Sequence, residues 1–226
     1  MDDADEQQAQ EPRKLDGRKL ALIGMAGAVV VFAAIAGAFA WKSHKQKVDE
    51  TAVVAAVADT TLMLREVLAK PAGSAELAPR MDQHLTRIKA ATRTPASDAA
   101  EEYVLGAREI ARKRSDVQRL ARQASASRDA AFAHLAAGKR REGAWFKTAS
   151  ELKRRMERDY TELNISLKTL DTLYSGMPES VKRAGPLFGP NTLVSSGEFQ
   201  AAAAQTQEEL KRVALEVERA RQLPLN

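Results

Sequence analysis

The stretch Leu20–Trp41 reads LALIGMAGAVVVFAAIAGAFAW, 22 residues without one charge. As a helix rising about 1.5 Å per residue it would cover about 33 Å, enough for a hydrocarbon core of about 30 Å. Amides inside lipid must bond within their own segment, so a run of this kind is expected to be helical. Arg13, Lys14, Arg18 and Lys19 flank one side, Lys42, Lys45 and Lys47 the other, and Trp41 stands where an interfacial aromatic belongs. The stretch predicts one transmembrane helix, preceded by a disordered polar tail at 1–19 and followed by an extramembrane domain at 42–226. Ala38-Phe39-Ala40 fits a signal-cleavage pattern, but the apolar run exceeds the roughly 7–15 residues of a signal core, so an uncleaved anchor is expected. The flanking charges stand at four to three, which favours the tail inside and the C-terminal domain outside. In a bacterium that is the inner membrane with a periplasmic domain.

The domain beyond the anchor is poor in aromatics, 5% over the whole chain, and rich in Ala, Leu, Glu, Lys and Arg. That balance points to packed helices, and no sustained alternation of β-branched and aromatic residues argues for strands. The expected fold is all-α, the membrane helix continuing into an antiparallel bundle of about four further helices. There is no cysteine, which excludes disulfides, zinc thiolates and thiol nucleophiles. Charge is uneven: residues 1–19 carry a net −2 and residues 42–226 a net +7.

No proline lies between Leu20 and Pro71, so the first helix can run unbroken to about Lys70, lifting its end some 40 Å from the bilayer. Val53, Val57, Thr60, Leu64 and Val67 give that extension one adhesive face. After a break at 70–74, a short helix to about Arg93 turns Leu77, Met81, Leu85 and Ile88 inward. Thr94-Pro95 then reads as an N-cap with proline at the first helical position. It opens a helix to about Ala137, with Tyr103, Ala107, Ile110, Val117, Ala121, Ala124, Ala131 and Leu135 inward. The next helix, from about Arg140, carries Trp145, Ala149, Leu152, Met156, Tyr160, Leu163, Leu167, Leu170 and Tyr174. Their mean step of about 3.6 is that of a straight helix in a bundle rather than a supercoiled rod. These two helices form a long hairpin at about 95–175. Gly176 is read as its end, and 176–197 as a Pro/Gly-rich loop containing at most a helical turn at 179–183. A last helix, 197–222, would point Phe199, Ala203, Leu210, Val213 and Val217 inward, with Glu208, Arg212 and Glu216 as an outer ladder.

Signals for chemistry are few. His44, His84 and His134 are far apart and read as surface or rim residues, and no phosphate loop, nucleophile elbow or zinc-binding motif is present. No catalytic residue, metal site or cofactor is expected. Residues 108–158 hold 15 Lys/Arg against six Asp/Glu. Arg108, Arg112, Arg119 and Arg122 would line one helix of the hairpin, and Lys147, Arg154 and Arg158 the other, a footprint for an anionic ligand or partner. The plainer reading is a solvated Arg-rich surface. Nucleic acid is not expected, because stacking aromatics are missing along the stretch, Phe132 excepted. Leu187 and Phe188, between Gly-Pro pairs, could insert into a partner or simply plug one end of the bundle.

Together these features predict a membrane-anchored, non-enzymatic interaction or scaffold protein in a bacterial envelope assembly, with the bilayer and a protein partner or second copy as its contacts. Two alternatives stand beside it: a periplasmic four-helix-type sensor or ligand-binding module, and a cytoplasm-facing basic domain that binds anionic lipid or nucleic acid.

Overall fold

A computed structural model describes residues 17–70, 74–137, 143–189 and 192–223, with side chains from residue 38 onward, Phe39 apart. The described structure is helical throughout: α1 Gly17–Ala69, α2 Ser74–Ala90, α3 Pro95–Ala136, α4 Gly143–Phe188 and α5 Ser196–Gln222. The side chains of the expected transmembrane stretch lie outside the described residues except Ala38, Ala40 and Trp41, as do the tail at 1–16 and the break at 71–73. Among the described residues no helix is long and apolar enough to cross a membrane. The chain divides into two units, Met1–Lys47 and Val48–Asn226, and the packed core belongs to the second.

Within that unit the polar contacts set the directions of the helices. Asp49 of α1 accepts from the Thr92 amide at 2.9 Å and Thr61 meets Tyr103 at 3.0 Å, so α1 and α3 run parallel. Asp82 of α2 holds Arg108 and Arg112 while Lys89 reaches Glu101, which makes α2 and α3 antiparallel. Gln123 donates to Asp159 and Ser180 to Glu102, laying α4 antiparallel along α3. Arg221 bonds Glu157, and the Lys153 ammonium donates to the Leu223 carbonyl, which turns α5 back along α4. One half of the unit therefore contains α1, α2, the start of α3 and the end of α4, with the first turn of α5 entering it. The other half contains only three helix segments, from α3, α4 and α5.

The inward faces expected from periodicity are the faces buried. Val57, Leu64, Val67, Met81, Ile88, Ile110, Met156, Leu167 and Leu170 are all at or near zero exposure. Each large side chain contributes about 1.5–3 kcal/mol on burial, so the alanine-rich stretch of α3 beyond Val117 contributes less per turn than α2 or α4. Thr94 caps α3, accepting from Ser97 N–H at 3.1 Å while Ser97 Oγ accepts from Thr94 N–H at 2.9 Å. Ser195 and Glu198 form the same reciprocal pair at the start of α5, and Glu198 also takes the Arg65 guanidinium at 3.1 Å.

The expected loop at 176–197 is corrected. Helix α4 continues twelve residues past Gly176, through Pro178 and Pro186, to Phe188. A proline in a helix interior removes one bond and crowds the preceding turn, at about 3 kcal/mol. Here Met177, Val181, Ala184 and Phe188 extend the apolar stripe into the core, and Ser180 and Arg183 both bond Glu102. The Met177 sulfur lies over Gly106, where a Cβ would sit only 2.5 Å from it, so the glycine lets α3 and α4 close up. Helix α4 stops at Gly189, whose φ of 87° suits glycine and whose amide donates to the Gly185 carbonyl at 2.8 Å.

Two substitutions separate these assignments. Gly176→Ala, with open space for the new methyl, should stabilise the fold by about 0.5–1 kcal/mol in urea unfolding, because the site is helix interior. Gly189→Ala should destabilise it by about 1 kcal/mol through the left-handed backbone. The opposite signs would return the end of α4 to Gly176.

Candidate functional site

In the three-helix half, α4 packs against both α3 and α5, whereas α3 and α5 scarcely touch. The result is a groove of about 630 Å³. Its floor is Tyr160, Leu163 and Leu167 of α4, and Val117 and Ala121 of α3 and Val213 of α5 form its apolar walls. Ala121 matters by its size, since a larger residue there would fill the space. Ser125, Arg128, Glu209, Arg212, Leu215, Glu216 and Arg219 complete the lining, and Leu215 is 64% exposed at the lip. An apolar cleft of this volume with a few converging polar groups has the form of a small-molecule site.

The groove's charges are mostly paired. Arg128 donates to Asp129 Oδ1 at 3.1 Å, and this bond holds the guanidinium above its ordinary value. Burial pushes the Tyr160 phenol up, with nearby Arg128 opposing the shift. Arg219 holds Glu216 at 2.7 Å. Arg114, buried beneath α5, lies 3.8 Å from Glu209. Arg212 is exposed on the rim. This geometry corrects the outer ladder expected for α5: Glu208 faces solvent with Lys211, but Arg212 and Glu216 line the groove. The pattern of Glu209, Arg212, Glu216 and Arg219 beside Val213 was the trace of this site in the sequence. It resembles an ordinary solvated helix face.

The proposed basic footprint divides. Arg108 and Arg112 are already paired: both bind Asp82 of α2, at 2.9 and 2.7 Å, and hold two helices together. Burial alone would raise the Asp82 carboxyl, but the two guanidiniums outweigh it and keep it below its ordinary value. Arg119, Arg122, Lys147, Arg154 and Arg158 are exposed in the other half. Of these, Arg119 lies 3.8 Å from Asp116 and Arg158 lies 3.4 Å from fully buried Asp159. The Gln123–Asp159 bond joins α3 and α4 beside them. Leu187 is 46% exposed near the end of α4, whereas Phe188 is half-buried against the core.

Of the histidines, His44 is exposed and His134 half-buried, as expected, and His84 departs from expectation. His134 stacks on Trp145 with ring centres 5.2 Å apart and its Nε2 lies 3.1 Å from the Trp145 carbonyl oxygen. His84 is buried rather than on the rim, with Nδ1 lacking a hydrogen-bond partner. Among the described residues no group of three His, Cys, Asp or Glu could hold a metal ion.

Burial pushes the His84 imidazole below its ordinary 6.5, Arg87 and Arg80 acting in the same direction and Asp59 against. The unfolded chain then binds the proton more readily, so the stabilisation is complete above about pH 6.5 and is lost as pH falls below it. Stability should decline between about pH 7 and about pH 5, before carboxylates titrate, and His84→Gln should flatten that slope. An unchanged slope in the variant would contradict the assignment.

The chain matches no protein-family model, no curated protein and no solved structure.

Proposed function

We propose that this chain is a membrane-anchored, non-enzymatic helical interaction or scaffold protein, a subunit of a bacterial envelope assembly with its C-terminal domain in the periplasm. The observation that carries the reading is α1. One helix, Gly17–Ala69, contains the uncharged run Leu20–Trp41 and also Val53, Val57, Leu64 and Val67, which are buried in the bundle. An apolar run of that length favours lipid, and a body built on the same helix is held at the membrane. The bilayer and a protein partner or second copy are its contacts.

The groove supports a second reading, a ligand-binding module, because its volume and mixed lining suit a small molecule. The third reading, a cytoplasmic basic surface for anionic lipid or nucleic acid, is weakened where Arg108 and Arg112 are committed to Asp82.

Reporters fused after Asn226 test the anchor and its orientation. A reporter active only in the periplasm should give signal from the membrane fraction, and crosslinking in intact membranes should trap the chain with a protein neighbour. Recovery of the chain as a soluble protein, or as monomer alone after crosslinking, would contradict the proposal. Signal only from a cytoplasmic reporter would favour the third reading.

A further inference from the structure

We propose that the groove between α3, α4 and α5 binds a single long-chain carboxylate, its hydrocarbon tail lying over Leu163 and Leu167 and its carboxylate held at Arg212. The inference rests on the ligand-binding reading and is independent of the anchor.

Shape selects the tail. From Val117 to Arg128 the groove follows eleven residues of α3, or about 17 Å. A groove of that length and about 630 Å³ takes a single extended hydrocarbon chain. The walls suit it, because Val117, Leu163, Leu167 and Val213 form a continuous apolar surface and Leu215 stands exposed at the lip.

Charge selects the head group. Four guanidiniums, Arg114, Arg128, Arg212 and Arg219, stand in or beside the groove against three carboxylates, Asp129, Glu209 and Glu216. Glu209 is answered by Arg114, Glu216 by Arg219 and Asp129 by Arg128. Glu208, which Arg212 also stabilises, is answered by Lys211 at 2.8 Å, so the excess of one positive charge falls to Arg212 on the rim, and one carboxylate balances it. Guanidinium–carboxylate pairing is charge-assisted and can be bidentate, which separates a fatty acid from a neutral or cationic amphiphile of equal length.

The test uses the full chain in whole-cell lysate, membranes included, with three photoreactive probes: diazirine-bearing dodecanoate, its trimethylammonium counterpart and its alcohol. Adducts are mapped by mass spectrometry. The carboxylate should label residues 160–167 and 209–219 about tenfold more than the alcohol does, the ratio one charge-assisted contact supplies. Arg212→Gln, a change on an exposed side chain, should bring the carboxylate down to the level of the alcohol. Ala121→Leu should abolish groove labelling by all three probes. Equal groove labelling by carboxylate and alcohol, or preference for the cation, would overturn the carboxylate assignment while leaving a ligand site in place. Adducts scattered outside the groove, or unaffected by Ala121→Leu, would overturn both.

Discussion

The four-helix half of the bundle depends on a buried chain of hydrogen bonds centred on Tyr103. The Val194 amide donates to the Tyr103 hydroxyl at 3.3 Å, the hydroxyl meets Thr61 Oγ1 at 3.0 Å, and Thr61 donates to the Val57 carbonyl at 2.9 Å. One proton per link satisfies the chain if the phenol donates to Thr61. Three parts of the sequence far from one another are joined: α1, α3 and the lead-in to α5. Burial raises the Tyr103 phenol's pKa, with Thr61 and the Val194 amide opposing, so it stays a neutral donor. Each of these groups is at 0–2% exposure, where a lost partner costs about 1–3 kcal/mol. Arg65 adds an outer tie, bonding the Leu193 carbonyl and Glu198. Those contacts set α5 on its course along α3 and α4, and so define the groove.

Much of this was legible in the sequence because burial is periodic. The apolar faces of α1 beyond Val48, of α2 and of α4 as far as Tyr174 are the buried ones, and Thr94-Pro95 opens α3 as capping chemistry demands. The end of α4 was not legible. Gly176 and Pro178 are local stop signals, and local signals lose when Met177, Val181, Ala184 and Phe188 gain a core to pack against. The fate of Arg108 and Arg112 was hidden for a similar reason. Their partner Asp82 is on another helix, and sequence spacing carries no trace of a pair separated by 26 or 30 residues. His84 sat at a position compatible with either a rim or a core. Only the approach of α1 toward α2 decides between them.

The groove shows how a site can arise without a motif. Helix α3 becomes alanine-rich where α1 and α2 no longer cover it, and α5 crosses α4 without closing on α3. The small side chains that weaken packing in this half also leave space in it. Stability is therefore concentrated in the four-helix half, with its Tyr103 hydrogen bonds and Asp82 ion pairs. The open groove lies in the three-helix half. Such a division would let an occupant of the groove alter the packing of α5 without breaking the rest.

The Val194 amide tests the central hydrogen-bond chain most directly, since it lies outside any helix and has the Tyr103 hydroxyl as its acceptor. Native-state hydrogen exchange should find it among the slow amides, released only with the global unfolding that releases the start of α3. Exchange at the rate of an exposed loop, while α3 stays protected, would contradict the account.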